Sequence, residues 1–366
     1  MNPSPPREHR PQKIAVLPGD GIGPEVIAEA LKVLDAAASH WDLALEVVEK
    51  PWSADHYLET GESLPEGALE DLRDHYSAIL IGAYGDPRVP DMRHAADILL
   101  GIRFGLDLYV NFRPIKVYEE RLNPLKAKRA DDIDFVVFRE NTEGAYVGVG
   151  GNFKKGTDLE VAVQEEIHTR TGVDRILRAA FDYARASGRV KVCMADKSNV
   201  MRFGHDLWQR AFAEIAEEYP DIESSHLFVD ALAMQMVRKP ELFEVIVTNN
   251  MFGDIVTDLG AALQGGLGMA ASANLHPGRV SMFEPVHGSA PKYTGQGTAN
   301  PMAAVLSVGL MLADLGHAAA ARAVEIVVCQ ALAAGVMTAD LQGTCATVEV
   351  GDYLAHAVSS ITVEAV

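Results

Sequence analysis

The 366-residue chain has only three cysteines, Cys193, Cys329 and Cys345, widely spaced and without a CxxC pair. That argues against a disulfide framework or a structural zinc site and fits a reducing, cytoplasmic compartment. Long hydrophobic runs are missing too. The longest largely apolar stretch, Met302 to Ala313, falls short of the roughly 20 residues that cross a bilayer. The first dozen residues, Met1 to Gln12, are polar and Pro-rich with no apolar core, so they read as a disordered arm, not a signal peptide. Basic residues are scarce: 32 Lys and Arg against 51 Asp and Glu give a formal charge of −19. Such an excess repels nucleic-acid phosphates and anionic membranes, and neither is an expected partner. An anionic substrate must therefore be drawn in by a local cluster of arginines.

What is present is a large α/β pattern. At this length, with 48% hydrophobic residues, the chain suits two domains or one large α/β unit. Lys13 to Leu17, Ala78 to Ile81, Asp134 to Phe138, Val190 to Met194 and Val245 to Thr248 read as buried strands. A helix is expected over Pro24 to Ala38, with proline tolerated in its first turn. Val173, Ile176, Leu177 and Phe181 mark an apolar helical stripe after Thr171, and two Ala-rich helices are expected near 301–315 and 318–334. The segment Gly148 to Gly156 reads as a loop leading into Leu159 to Val163, an exposed strand or arm. Lys126 to Arg129 reads as a solvated loop. There is no internal repeat.

Five segments carry candidate chemistry. Gly19-Asp20-Gly21-Ile22-Gly23-Pro24 lies between a strand and a helix, but Pro24 takes the place where a dinucleotide fingerprint needs a small residue. A Rossmann reading is rejected; a tight turn and a ligand-contacting loop both stay open. Arg103, Arg113 and Arg139 form a second group, the last directly before Glu140-Asn141-Thr142-Glu143-Gly144. Guanidinium groups bind carboxylates bidentately, so three converging would suit a dicarboxylate, although one arginine alone is more often a structural ion pair.

In the third segment, Asp254 and Asp258 lie at i and i+4 and share one helix face. An all-oxygen site of this kind suits Mg²⁺ or Mn²⁺, while the competing reading is acidity complementing a helix N-terminus. Asp230 is a possible third carboxylate. The fourth is Asp196-Lys197-Ser198-Asn199, where a lysine at a strand end is a candidate base, with Tyr146 a candidate proton donor. The fifth is Glu284 to Pro291, followed by Gly295, Gly297 and Asn300, rich in turn formers that can present backbone N–H groups to phosphates.

In this order the five segments resemble the β-decarboxylating isocitrate/isopropylmalate dehydrogenase family, from Ile14 to about Tyr353. The family includes isopropylmalate, isocitrate, homoisocitrate, tartrate and D-malate enzymes. The resemblance implies a two-domain isopropylmalate/isocitrate dehydrogenase-like α/β fold, not Rossmann. One domain would be 1–108 with 265–366, carrying both termini and most of the cofactor site. The other would be 109–264, carrying the dimer arm and metal carboxylates. It further implies that Arg103, Arg113, Arg139 and Asn199 hold substrate, that Asp254 and Asp258 bind Mg²⁺ or Mn²⁺ with Asp230 of a second subunit, and that Lys197 of that subunit is the base. Tyr146 would be the acid. His287, Gly288, Ser289, Ala290, Lys292 and Asn300 would hold the dinucleotide. The partners implied are a small 2-hydroxy-diacid and a second copy of the chain in a homodimer with shared sites.

Leu99 and Leu100, just before Arg103, resemble an apolar wall for a branched alkyl group, where isocitrate enzymes place a polar serine and asparagine. This chain has Asp97 and Leu99 there. The run Val229 to Pro240 also resembles isopropylmalate enzymes. Against this, Arg139 to Gly144 is closer to isocitrate, tartrate and D-malate members, and Ala96 stands where many isopropylmalate enzymes carry glutamate. The expected substrate is 3-isopropylmalate, in leucine biosynthesis. D-malate or tartrate is the alternative, isocitrate or homoisocitrate ranks below it, and a catalytically silent regulatory subunit is the non-enzyme reading. Lys292-Tyr293 resembles the pair at the 2′-phosphate in NADP enzymes, but the residues completing that pocket correspond to Ala339 and Gly343. NAD is the expected cofactor, with NADP the alternative.

Overall fold

The computed structural model describes residues 11–362. The arm expected over Met1 to Gln12 lies outside the described residues except for Pro11 and Gln12, and Gln12 already opens the first strand. The chain runs β1 (Gln12–Gly19), α1 (Gly23–His40), β2 (Leu45–Glu49), α2 (Ala54–Thr60), α3 (Ala68–His75), β3 (Ala78–Ala83) and α4 (Arg93–Gly105). It continues through β4 (Val110–Lys116), β5 (Asp134–Glu140), β6 (Gly150–Phe153), β7 (Val161–Gln164), α5 (Arg170–Ser187), β8 (Lys191–Asp196) and α6 (Gly204–Ala216). Then come β9 (Glu223–Phe228), α7 (Val229–Arg238), β10 (Val245–Thr248), α8 (Asn250–Leu263) and β11 (Ala271–Leu275). The last elements are β12 (Ser281–Pro285), α9 (Met302–Asp314), α10 (Ala318–Ala334) and α11 (Thr347–Ser360).

Two compact units result, one holding the chain up to Ile102 and from Pro277 onward, the other Arg103–His276. The sequence expectation set these changes at 108/109 and 264/265. The later crossing follows β11, which pairs antiparallel with β4 and so stays with the central unit. In the first unit β2, β1, β3 and β12 lie side by side in parallel. Helix α1 packs on α9 and α11, and α9 on α10 and β12. Buried alanines along α9 let these helices approach closely.

The central unit orders its strands β11-β4-β5-β10-β8-β9, with β4 antiparallel to both neighbours and the rest parallel. Alternate residues face opposite sides, as strand geometry requires. Val136, Phe138, Val245, Val247, Val192 and Met194 pack in the core under α5 and α6. Phe135, Val137, Ile246, Cys193 and Ala195 face the other way, against α7 and α8. Helix α5 begins with Thr169 accepting the Gly172 N–H and ends at Gly188 with φ 74°. Its stripe of Val173, Ile176, Leu177 and Phe181 is fully buried, each side chain contributing roughly 1.5–3 kcal/mol. Strand β4, absent from the sequence reading, was hidden by Asn111, Arg113, Pro114 and Lys116; the Asn111 side chain bonds to β11 and that of Arg113 to α8. β6 and β7 form a separate antiparallel hairpin.

Candidate active site

The parity of the central strands aims the arginines. Arg139 follows Phe135 and Val137 on β5, so it points to the α8 side, and Arg113, paired in register with Val137, points there too. Arg139 is buried, and its Nη1 lies 2.5 Å from Oδ1 of Asp254 on α8. Its Nε and Nη2 hold Asn250 Oδ1 at 3.1 and 2.7 Å. Arg113 donates to Thr257 Oγ1 at 2.6 Å and places Nη2 3.7 Å from the same Asp254 oxygen. The Tyr146 hydroxyl donates to Asp254 Oδ2 at 2.7 Å, and the Arg139 guanidinium lies over the Tyr146 ring. Burial alone would raise the Asp254 pKa, but Arg139, Tyr146, Arg113 and Arg103 outweigh it and hold the group below its ordinary 3.8. Burial, and then Asp254, raise Tyr146 above 10.0, so its phenol is protonated at neutral pH.

Arg103, Arg113, Arg139, Tyr146 and Asp254 therefore belong to one electrostatic group. Asp258 sits one turn further along α8, exposed and on the Asp254 face. Leu99 and Leu100, both half-buried, precede Arg103 by four and three residues on α4 and share its helix face. Asp97 is turned away to Ser63, whose hydroxyl donates to Oδ2 at 2.9 Å.

Lys197 and Asp230 form a second group: Nζ and Oδ1 are 2.7 Å apart, and Lys197 is the first cause holding Asp230 below its ordinary 3.8. The turn carrying Lys197 is pinned by buried Asp196, which accepts the Ser198 N–H at 3.0 Å and the Gln209 amide at 2.7 Å. Asn199 is exposed on that turn. Much of the Glu140 to Gly144 motif builds the turn after β5. Glu140 accepts the Thr142 and Glu143 N–H groups, Asn141 donates to the Leu108 carbonyl, and Glu143 accepts the Thr169 N–H.

In the first unit the turn after β1 is shaped by the loop after β12. The Ser289 carbonyl accepts the Ile22 N–H at 2.9 Å, and a Cβ added at Gly21 would lie 2.1 Å from that oxygen. Close approach thus explains Gly21. Ser289 is buried, Gly288 faces open space, and Ala290 adopts φ 40°, a strained value of the kind found at ligand loops. His287 Nε2 is buried with no hydrogen-bond partner among the described residues. Asn300 is engaged at both ends of its amide, capping α9 through the Met302 N–H and donating to Asp340 at 3.0 Å. Lys292 is exposed with Nζ over the Tyr293 ring. Among the described residues, no helix is long and apolar enough to cross a membrane.

Sequence reasoning missed Asn250, Gly253 and Thr257, which set Arg139 and Arg113; they lay inside a quoted motif without a role. It also missed a cluster of Glu166, His168 and His205. An acid and two histidines spread over this distance leave no local pattern.

A dehydrogenase of the decarboxylating type is the class to which the comparisons assign the chain. The chain belongs to the isocitrate/isopropylmalate dehydrogenase family, whose model matches residues 13–354. It is 46% identical over 352 residues to the 3-isopropylmalate dehydrogenase of Thermobifida fusca, covering 96% of this chain and 98% of that protein. It is 47% identical over 348 residues to the enzyme of that name from Nocardia farcinica, covering 94% and 100%. Among solved structures, isocitrate dehydrogenase from Methylococcus capsulatus superposes with TM-score 0.85 at 36% identity, over 95% of this chain and 100% of that one. The TT0538 protein from Thermus thermophilus gives 0.85 and 36%, over 97% and 70%.

Proposed function

We propose that this chain oxidises 3-isopropylmalate with NAD and decarboxylates it to 2-oxoisocaproate. The observation that carries the reading is the arginine group around Asp254, joined to a helix whose next turn back presents Leu99 and Leu100. Arg103, Arg113 and Arg139 bind the two carboxylates, and the leucines receive the isopropyl group. An aspartate engaged by Ser63 and two leucines offer nothing to a third carboxylate, which disfavours isocitrate.

The residues fit a divalent cation: Asp254 is ionised, Asp258 stands open one turn away, and both donors are oxygens. The loop of His287 to Ala290 fits a dinucleotide, since it presents an unpartnered buried nitrogen and an open glycine. When bound, the cation supplies Lewis-acid stabilisation of the substrate oxygen and the nicotinamide supplies the hydride acceptor. The arginines hold the carboxylates in a reactive orientation. Lys197 accepts the hydroxyl proton, and Tyr146 returns a proton to the carbon left when CO₂ departs. Asp230 joins the cation from a second subunit together with Lys197, and Asn199 contacts substrate from the same turn. The pairing of Lys197 with Asp230 supports their entering a site as one group.

A homodimer supplies that second subunit. The β6–β7 hairpin supports it by exposing Phe153, Leu159, Val161 and Val163, the first two 66% exposed each. NAD is favoured over NADP because Gly343 admits no side chain: an added Cβ would lie 2.0 Å from the Met337 carbonyl oxygen. The test is NAD reduction with Mg²⁺ or Mn²⁺ on 3-isopropylmalate, D-malate, tartrate and isocitrate in parallel, then NADP in place of NAD. 3-Isopropylmalate is expected to give the highest kcat/KM; a higher value for D-malate would overturn the substrate assignment.

A further inference from the structure

Glu166, His168 and His205 place their ligand atoms within 4.8 Å of one another, and both imidazoles are buried. The spacing fits a cation, but the hydrogen bonds on the far sides of the rings argue against one. His205 Nδ1 accepts the backbone N–H of Lys197 at 2.7 Å. His168 Nδ1 accepts the indole N–H of Trp208 at 3.2 Å. A peptide N–H and an indole N–H only donate, so each Nδ1 carries the lone pair. A neutral imidazole has one N–H, which places the proton of both rings on Nε2. Both Nε2 atoms face Glu166, that of His168 at 3.2 Å from Oε1 and that of His205 at 3.6 Å from Oε2. The edges that would have to offer lone pairs to a metal carry protons instead, although His168 Nε2 and Glu166 Oε2 make no hydrogen bond among the described residues.

The carboxylate is itself fixed. Asn249 caps α8 by accepting the Phe252 N–H on Oδ1 at 2.9 Å, so its Nδ2 must donate, and it does so to Glu166 Oε1 at 2.7 Å. Nδ2 also lies 3.3 Å from His205 Nε2, two donors sharing one acid. Room for the cluster is built in: a Cβ at Gly204 would fall 2.6 Å from His168 Cδ2.

We propose that His205 is a positioning residue for Lys197, its imidazole holding the Lys197 peptide N–H while its Nε2 edge lies toward the Glu166 carboxylate. This rests on the reading of Lys197 as the proton acceptor. The backbone at residue 197 fixes where the side chain starts, and a flexible lysine whose origin moves loses its alignment with the substrate hydroxyl. Glu166 lies two residues beyond β7, so the segment leaving the hairpin supplies the acid beside the ring.

The test compares His205→Leu with His205→Asn, since the asparagine oxygen stands close to the position of Nδ1 and can still accept the Lys197 N–H. With 3-isopropylmalate, NAD and Mn²⁺, His205→Leu should lower kcat roughly 30-fold while leaving both KM values within about threefold, the size of effect a small misplacement produces. His205→Asn should recover most of that loss. Hydrogen exchange at the Lys197 amide should be fast in His205→Leu and protected in the wild type and His205→Asn. Unchanged kcat and unchanged amide protection in His205→Leu would overturn the proposal, as would equal loss in the two variants. Lys197→Met, assayed alongside, separates the underlying reading. If it turns over normally, Lys197 is not the base, whereas amide exchange still reports whether His205 holds the turn.

Discussion

Gly253 and Arg139 occupy one another's space: a Cβ added to the glycine would lie 2.4 Å from Cγ and 2.6 Å from Cβ of the arginine. The glycine closes the first turn of α8, and inside a helix glycine costs up to about 1 kcal/mol relative to alanine. That cost is offset by letting a buried guanidinium stem lie flat on α8 and reach Asp254.

Gly253→Ala should therefore act against expectation from helix propensity. Overpacking should lower stability by about 1–3 kcal/mol, and displacement of Arg139 should raise the KM for 3-isopropylmalate about tenfold, the equivalent of ~1.4 kcal/mol. Thermal unfolding and steady-state kinetics check both. A stabilised variant with wild-type KM would contradict the packing argument.

Leu99 and Leu100 set a prediction about substrate choice. Leu100→Ala removes apolar surface worth about 1.5–3 kcal/mol, so kcat/KM for 3-isopropylmalate should fall about 10- to 100-fold. D-malate, which lacks the branched alkyl, should change little. Parallel falls for both substrates would show that the leucine supports the fold and not the alkyl group.

Chelation should abolish turnover, and added Mg²⁺ or Mn²⁺ should restore it. Asp258→Asn removes one anionic donor and should raise the metal concentration for half-maximal activity by roughly 10- to 100-fold. Because Asp258 is exposed, its unfolding temperature without metal should stay near wild type, which separates metal loss from misfolding.

Acid stability should depend on Glu166. Burial alone would raise this carboxyl, but His168 and His205 outweigh it and bring it from 4.5 to about 2 in the folded chain. The unfolded chain then binds more protons between those values, so Glu166 contributes stability that is full above pH 4.5 and lost as pH falls toward 2. In urea titrations from about pH 6 to about 2.5, spanning that window, Glu166→Gln should show a flatter loss than wild type. An identical slope would mean the acid is not held as described.

The hairpin carries a prediction of assembly. Phe153→Asp or Leu159→Asp places a charge on an apolar face and should convert a dimer to a monomer in light scattering, with activity lost in proportion. An unchanged mass would place the subunit contact elsewhere.

Legibility varied with how local the determinant is. The strands around Val16, Leu80, Val137 and Ile246 and the stripe of Val173 to Phe181 were legible because burial on a strand or helix leaves a periodic trace. The arginines, Lys197, Tyr146 and the Asp254–Asp258 pair were legible as candidates because they sit in short ordered motifs. Strand β4 was hidden because polar residues and a proline interrupt its apolar run. The cluster of Glu166, His168 and His205 was hidden because its members come from the segment after β7 and the start of α6.

By itself, the sequence determined the rejection of a Rossmann fingerprint at Pro24, the family, and the residue types available for carboxylate and cation binding. Tertiary structure alone decided which of those residues meet. Strand parity and register turn Arg113 and Arg139 to one side, and a missing side chain at Gly253 lets Arg139 reach Asp254. Likewise, a donor-only backbone N–H fixes the proton on His205 and makes a cluster spaced for a metal into a support for Lys197. These are relations between atoms far apart in the chain, which composition and spacing do not encode singly.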